Sequence, residues 1–148
     1  MKKIIFLALI PVLLWSFKEP DILKWYSLKE GLELARQENK PMLIFIYATW
    51  CDQSKRMEKK VFNSKDILPL LSENFILIKL NPEVDTAYLH NDKTLNRKVF
   101  LKEAEPGKFQ LGVPTTVLYR EKGNDRLVMD GVQEPGEFKE SINKFLKK

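Results

Sequence analysis

The centre of the chain contains two runs of almost uninterrupted apolar residues, "MLIFIYA" (42–48) and "FILIKLN" (75–81). Both runs are rich in β-branched and aromatic side chains and do not alternate with polar residues. This pattern is typical of strands that are covered on both faces, as in the middle of a sheet with helices on either side. A shorter apolar-rich run, "DILKWY" (21–26), predicts an edge strand.

A helix is predicted between the first two strands, because apolar residues recur there at helical spacing. These residues are Leu28, Leu32 and Ala35. Ser27 and Glu30 have the S-x-x-E spacing of a capping box at its start. The sequence Asn39-Lys40-Pro41 predicts its end, because proline cannot continue a helix.

Two further helical segments are predicted between the two buried strands. After Cys51, the positions i, i+3 and i+7 share one side of a helix, and the charged residues point elsewhere. That side carries Ser54, Met57 and Val61. The next segment, "NSKDILPLLSEN", predicts a short helix with Asn63 or Ser64 as its cap and Pro69 near its start.

The C-terminal part of the chain predicts a β-hairpin and a final helix. "TTVLYRE" (115–121) and "DRLVMDG" (125–131) flank the turn residues "KGN". The last segment places four apolar residues on one helical face, namely Phe138, Ile142, Phe145 and Leu146. Residues 82–112 mix helical and extended patterns; we expect one helix there over Leu95–Ala104 and turns at Asn91-Asp92 and Pro106-Gly107.

The N-terminus "MKKIIFLALIPVLLWSF" resembles a secretory signal, with a basic start followed by a short apolar run. We expect residues 1–18 to be a signal peptide, cleaved near 16–20, or a retained membrane anchor. Residues 19–148 then form one domain, located in the periplasm or outside the cell. A cytosolic chain with an apolar first helix is the alternative.

Composition narrows the functional classes. The chain has 148 residues and a formal net charge of +5, but its Lys and Arg residues are spread along the sequence. Because no dense basic cluster or basic-aromatic stripe occurs, we expect no nucleic-acid partner. An exported protein meets oxidising conditions, and its single cysteine cannot form an internal disulfide. Such a thiol indicates pairing with another molecule or a free reactive group.

The single cysteine, Cys51, lies where a buried strand is followed by a helix, in "ATWCDQSKRM". A helix N-terminus offers unpaired N–H groups and the positive end of the dipole, both of which favour the thiolate. Ser54 stands three residues later and can donate a hydrogen bond to the sulfur. Lys55 and Arg56 add positive charge, and Trp50 can shield one side while the sulfur stays open to substrates.

The sequence resembles the thioredoxin superfamily, as a C-x-x-S variant similar to disulfide-relay and anterior-gradient domains. The resemblance depends on "KPMLIFIYATWCDQSK", "VFNSKDILPLLSENFILIKLN", "GVPTTVLY" and Gly131, and covers nearly all of residues 27–147. It implies an α/β thioredoxin fold with a mixed four- to five-stranded sheet and helices on both faces. It also implies a cis Val113–Pro114 peptide bond beside the Cys51 loop.

The resemblance implies a site as well. Val113 and Pro114 would form part of a groove for an extended substrate peptide, with Trp50 at its rim. In this interpretation Cys51 and Ser54 are the catalytic residues. Thioredoxins often carry a buried acid six residues before the nucleophilic cysteine, but this chain has Phe45 there. Efficient reductase chemistry is therefore not expected.

The presence of only one thiol limits the chemistry of the site. Disulfide exchange passes through a mixed disulfide, which a C-x-x-C protein resolves with its own second thiol. This chain has Ser54 instead, so a client thiol or an external thiol reductant must release the mixed disulfide. Isomerisation of client disulfides and retention of partly folded clients remain possible, without any cofactor.

Several other interpretations compete with this one. The chain could be a redox-inactive binding module that kept the fold, or Cys51 could be an inert core cysteine. A thiol peroxidase or a cluster-binding monothiol glutaredoxin fits less well, because the flanking residues of Cys51 lack their patterns. Asp85 and His90 do not make a metal site, since no further ligand residue accompanies them.

Overall fold

The computed structural model describes residues 22–85 and 112–148. The predicted leader (1–18), the predicted helix over Leu95–Ala104, the predicted turns at Asn91-Asp92 and Pro106-Gly107, and His90 lie outside the described residues.

A five-stranded mixed sheet forms the centre of the described structure, in the order β1-β3-β2-β4-β5. The strands are β1 (Trp25–Tyr26), β2 (Met42–Ile46), β3 (Ile76–Leu80), β4 (Thr115–Arg120) and β5 (Asp125–Asp130). Strand β3 pairs in parallel with both β1 and β2, whereas β4 pairs antiparallel with both β2 and β5. The predicted edge strand, the two central strands and the hairpin are confirmed.

Helices cover both faces of this sheet. They are α1 (Leu28–Glu38), α2 (Asp52–Met57), α3 (Leu68–Asn74) and α4 (Pro135–Leu146), and α2 continues as a π-helical turn over Glu58–Phe62. Helix α1 packs on one face, and the others supply the core on the opposite face. None of the helices in the described ranges has the length and apolar character needed to cross a membrane.

Strand β2 divides its side chains between the two cores, which explains why its sequence is apolar throughout. Ile44 and Ile46 pack with α1, whereas Leu43 and Phe45 pack with α2, α3 and α4. All five residues of β2 are buried. The strand therefore has no solvent-facing side, as its lack of alternation predicted.

Helix α1 begins and ends as its sequence predicted. Ser27 is the N-cap, and its hydroxyl and the Glu30 carboxylate form a reciprocal capping box. Asn39 ends the helix in the left-handed conformation, with φ of 50°. Close packing on β3 requires Gly31, because a Cβ there would clash with Ile78.

The predicted cap of α3 is wrong, because the helix begins later than the pattern suggested. Its N-cap is Ile67 rather than Asn63 or Ser64, and Pro69 lies in its first turn. A helix starting at Ser64 would place the proline ring further inside, where it lacks a donor and clashes with the preceding turn. Residues 64–67 instead form a turn in which the Ser64 carbonyl accepts from Ile67 and Leu68.

Candidate functional site

Cys51 is the N-cap residue of α2, directly after the central strand β2 and its connecting loop. Its backbone is extended, with φ of −82° and ψ of 111°, and its carbonyl accepts the N–H of Lys55. The Cys51 N–H donates to the Ala48 carbonyl at 3.1 Å. The side chain therefore projects from the end of the helix at which backbone N–H groups are unpaired.

The Cys51 thiol lies against the loop before β4. Its Sγ donates to the Val113 carbonyl oxygen at 3.6 Å, across 62 residues of sequence. The residue is only 8% exposed. Cys51 is therefore more covered than the sequence predicted, because its side chain lies against the loop that carries Val113.

The loop that carries Val113 and Pro114 is held by hydrogen bonds to the hairpin. The Val113–Pro114 peptide bond is cis. The Pro114 carbonyl accepts from the Gly131 N–H at 2.8 Å. The Thr115 hydroxyl lies 2.7 Å from the Gly112 carbonyl and 3.0 Å from an Asp130 carboxylate oxygen. These contacts fix the carbonyl that faces Cys51.

Ser54 lies in the first turn of α2 and points into the interior. It is 1% exposed, and its hydroxyl has no hydrogen-bond partner among the residues that the structure describes. A buried hydroxyl without a partner is costly, by about 1–3 kcal/mol. Such a group is expected to have an acceptor in some state of the molecule, and the nearby Cys51 sulfur becomes a strong acceptor when it loses its proton.

The surroundings of Cys51 favour the thiolate. A hydrogen bond from the Ser54 hydroxyl is the largest cause that lowers the pKa of Cys51. The backbone N–H groups of Ser54 and Gln53 lower this pKa further, while burial and the negative charge of Asp52 raise it. The neutral thiol donates to Val113, and the thiolate instead accepts from Ser54 and these N–H groups.

The basic residues after Ser54 contribute less than the sequence suggested. Lys55 pairs with Asp52 at 3.1 Å, and Arg56 pairs with Glu134 at 3.1 Å, with all four side chains largely exposed. Neither cation is among the causes of the lowered pKa of Cys51. Solvent and their acidic partners screen their charges from the sulfur.

Trp50 lies beside Cys51 on the surface. Its side chain is 66% exposed, and its indole N–H donates to the Glu83 carboxylate at 2.8 Å. The Glu83 backbone N–H in turn donates to the Asn81 side chain. Trp50 is thus a large apolar group that a neighbouring loop holds at the edge of the site.

Phe45 occupies the interior beneath α2 and belongs to an aromatic cluster. It is fully buried, lies edge-to-face with Phe62 at 4.8 Å between ring centroids, and stacks on Tyr47 at 5.8 Å. An ionised carboxylate at this position would lose its hydration among rings, which is costly. The packing therefore fits the apolar residue that the sequence places there.

Residues 22–85 and 112–148 hold no cluster of three or more His, Cys, Asp or Glu side chains that could bind a metal ion. Asp85 instead accepts the backbone N–H of Asn81 at 2.8 Å, so it stabilises the loop after β3.

Three residues near the site escaped the sequence interpretation. Glu83 holds Trp50, Asp130 contacts the Thr115 hydroxyl, and Thr116 buries a second hydroxyl without a partner in the described part of the chain. A signal existed for Thr116, because the strand β4 begins with two threonines before its apolar residues, and threonines that open a central strand are candidates for buried hydroxyls. Glu83 and Asp130 contact residues that are distant in sequence, which no local pattern reveals.

Part of the chain is similar in sequence to a much longer human protein. The chain is 34% identical over 70 residues to the human protein "Spermatogenesis-associated protein 20", a match covering 44% of this chain and 9% of that protein. The chain thus spans about a tenth of the length of this relative.

Solved structures share the fold at low sequence identity. A thioredoxin from Thermus thermophilus superposes with a TM-score of 0.61 and 18% identity, covering 82% of this chain and 85% of that one. The C-terminal domain of Neisseria meningitidis DsbD, in its reduced form, superposes with a TM-score of 0.57 and 19% identity, covering 82% and 98%. A family model described as "Thioredoxin-like" matches residues 24–120, which is more than half of the chain. The chain therefore belongs to the thioredoxin-like family.

Proposed function

We propose that this protein acts through mixed disulfides between Cys51 and cysteines of client proteins, as a monothiol disulfide oxidoreductase or isomerase, or as a factor that holds clients. The buried Ser54 hydroxyl beside Cys51 is the observation that supports this most directly. It has no partner among the described residues while Cys51 is a thiol. The hydrogen bond that it offers to the ionised sulfur is the largest cause that lowers the pKa of Cys51. A group placed in this way stabilises a reactive thiolate.

The first step is attack of the Cys51 thiolate on a client disulfide. The Cys51–client S–S bond forms while the client S–S bond breaks, and the released client sulfur leaves as a thiolate that takes a proton from solvent. The client sulfur that stays bound and the Cys51 sulfur share the new disulfide. No electrons are gained or lost overall.

The second step requires a thiol from elsewhere, because the chain has one cysteine. A second client thiolate that attacks the mixed disulfide forms a new client disulfide and regenerates Cys51, which is isomerisation. An external small thiol that attacks the Cys51 sulfur instead releases the client as a thiolate and leaves a small-thiol disulfide on Cys51. A second small thiol then cleaves this bond, so that Cys51 is regenerated, the client is reduced and the two small thiols are oxidised to their disulfide. Until one of these thiols arrives, the client remains covalently held.

The groove beside Cys51 would bind an extended client segment. When Cys51 loses its proton, the Val113 carbonyl loses the hydrogen bond from the thiol and becomes available to a client backbone N–H. Pro114 and the exposed Trp50 would border the same segment. Because Cys51 is 8% exposed, the client must displace part of its cover before attack.

Export is part of the proposal and depends on the N-terminal pattern. A signal peptide over residues 1–18 would deliver the domain to the periplasm or the exterior, where client disulfides persist. Retention of that segment would leave the domain anchored at the membrane.

The test is to incubate the reduced protein with a model peptide that has one cysteine and is supplied as its disulfide-linked dimer, and to follow intact mass under non-reducing conditions. We expect a one-to-one adduct at Cys51 that persists until a small thiol is added. The Cys51→Ser variant, which keeps the size of the side chain, should form none. Absence of an adduct with the parent protein would contradict the proposal.

A redox-inactive binding module is the second candidate, favoured by the low exposure of Cys51 next to the highly exposed Trp50. Such a module would hold a peptide or partner protein without covalent chemistry. Co-purification of parent and Cys51→Ala proteins under non-reducing conditions separates the two. Partners that are retained by Cys51→Ala favour the module, whereas partners that vanish favour mixed disulfides.

A further inference from the structure

Two buried hydroxyls in the described ranges have no hydrogen-bond partner, and the mechanism above uses only one of them. They belong to Ser54 and Thr116, each 1% exposed. Each would destabilise the folded state if it stayed unsatisfied. Whether one partner can satisfy both hydroxyls depends on where the two residues lie in the fold.

Thr116 lies in the layer between the sheet and α2. It is directly opposite Phe45 on β2 and Met129 on β5, so the three side chains share one face of the sheet. Phe45 and Met129 belong to the core on which α2 packs. Thr116 is also three residues after Val113, whose carbonyl receives the Cys51 thiol. Its hydroxyl is therefore buried at the end of the sheet that carries Cys51.

Ser54 enters the same layer from the helix side. It shares the inward face of α2 with Met57, which is fully buried in the same core as Phe45 and Met129. The Met57 sulfur accepts the Gln133 N–H at 3.4 Å, which ties α2 to the chain segment after β5. The Ser54 hydroxyl and the Thr116 hydroxyl are therefore both buried in the layer between α2 and this face of the sheet.

Two unpartnered hydroxyls buried in the same otherwise apolar layer form a setting in which one ordered water could satisfy both groups. We propose that Thr116 is a positioning residue for the Cys51 site: its hydroxyl shares one buried water molecule with the Ser54 hydroxyl, which keeps the Ser54 hydrogen directed at the Cys51 sulfur. Thr116 does not touch the client. It acts through Ser54, and its role in exchange depends on the mixed-disulfide function proposed above.

The mechanism is a short chain of hydrogen bonds. Ser54 donates its single hydrogen to the thiolate and accepts one from the water, and the water also contacts the Thr116 hydroxyl. Each bond in such a chain polarises the next, by roughly 10–30% per bond. Loss of Thr116 should therefore weaken the Ser54–thiolate bond without abolishing it.

The test measures the alkylation rate of Cys51 against pH in the parent, Thr116→Val, Thr116→Ser, Ser54→Ala and the double variant Ser54→Ala/Thr116→Val. At pH 6 we expect Thr116→Val to react roughly twofold more slowly than the parent. Ser54→Ala should react about tenfold more slowly or more, since it loses a hydrogen bond to a charged group. Thr116→Ser keeps the hydroxyl and should match the parent, and at pH 10 no variant should be slower.

The double variant tests whether Thr116 acts through Ser54. If it does, Thr116→Val should not change the alkylation rate further once Ser54 is alanine. The proposal is overturned if Thr116→Val follows the parent pH profile. A higher free energy of unfolding in that variant would in addition identify an isolated unsatisfied hydroxyl. If valine prevents folding, Thr116→Ala gives the same comparison. A parent protein that titrates at about 8.5 or above overturns both this inference and the proposed function.

Discussion

The Cys51 sulfur has different partners in its two protonation states. The thiol donates to the Val113 carbonyl at 3.6 Å, whereas the thiolate accepts from the Ser54 hydroxyl and from two N–H groups of α2. Deprotonation thus exchanges one contact with the loop before β4 for several contacts with the helix. Loss of a single proton from Cys51 therefore both activates the nucleophile and frees the Val113 carbonyl in the proposed groove.

This arrangement predicts how stability depends on pH. The folded state lowers the pKa of Cys51, so its contribution to stability is present above the unfolded pKa of about 8.5 and is lost as pH falls through the folded pKa. The free energy of unfolding of the parent, minus that of Cys51→Ser, should rise with pH across this window. Urea unfolding under reducing conditions from pH 5 to 10 measures it. A flat difference would contradict the assigned thiolate contacts.

Asp52 opposes the thiolate, so its removal should have the opposite effect to that of removing Ser54. Its negative charge raises the pKa of Cys51, although its side chain is 94% exposed and screened by solvent. We expect Asp52→Asn to alkylate roughly twofold faster at pH 6. Asp66→Asn, which removes the same charge from an ion pair with Lys139, is the matched control and should match the parent. Slower alkylation of Asp52→Asn would contradict the statement that Asp52 raises the pKa of Cys51.

At the residue scale, the sequence predicted which residues form the site better than it predicted their exposure and their partners. The position of Cys51 at a helix start and the inward direction of Ser54 followed from local spacing. The low exposure of Cys51 did not, because Val113 covers it from a distant part of the chain. The weak effect of Arg56 was equally hidden, since its partner Glu134 lies 78 residues away.

At the scale of elements, α1 lies so close to β3 that a hydrogen atom is required in place of a side chain. A Cβ on Gly31 would clash with the Ile78 side chain, whereas one on Gly136 in α4 would meet nothing within 4 Å. Helix propensity alone favours alanine over glycine in either helix, by up to roughly 1 kcal/mol in a helix interior. Comparing alanine substitutions at the two glycines therefore distinguishes the effect of close packing on stability from the effect of helix propensity.

We expect Gly31→Ala to lower the free energy of unfolding by about 1–3 kcal/mol, as overpacking does. Gly136→Ala should leave it unchanged or raise it. Urea denaturation of both variants measures the difference. If Gly31→Ala were as stable as Gly136→Ala, the close approach of α1 to β3 would be wrong.

Elements with a single strong periodicity were predictable, and those with competing signals were not. Strand β2 and helices α1 and α4 followed from uninterrupted or helical patterns. The start of α3 was missed, because Asn63 and Ser64 are good caps but Pro69 decides where the helix begins. The π-helical turn over Glu58–Phe62 continues the helical pattern of α2, so its apolar spacing gave no separate sign.

At the scale of the whole molecule, the fold brings together two segments that are far apart in sequence. Hydrophobic patterns predicted the strands but not their order, and it is the order that places β4 beside β2 and the Val113–Pro114 loop beside Cys51. That juxtaposition was available only from the family resemblance. The result is a thioredoxin fold with a single cysteine.

A second thiol in the right place should restore the missing step. In Ser54→Cys, the introduced thiol should attack the mixed disulfide with a model peptide, release the peptide as a thiol and form a disulfide with Cys51. Ser72→Cys adds a thiol on the exposed part of α3, away from the site, and is the matched control. Its mixed disulfide should persist like that of the parent, as intact mass over time will show. Equal persistence in Ser54→Cys would contradict the geometry.

The central claim is that the fold holds Cys51 as a reactive thiolate, and the pH dependence of its alkylation tests this most directly. The chain has one cysteine, so the alkylation rate of the parent protein reports on that sulfur alone. The account predicts a midpoint clearly below about 8.5, the ordinary thiol value, and a higher midpoint for Ser54→Ala. A midpoint at or above that value, or one unchanged by Ser54→Ala, would contradict it.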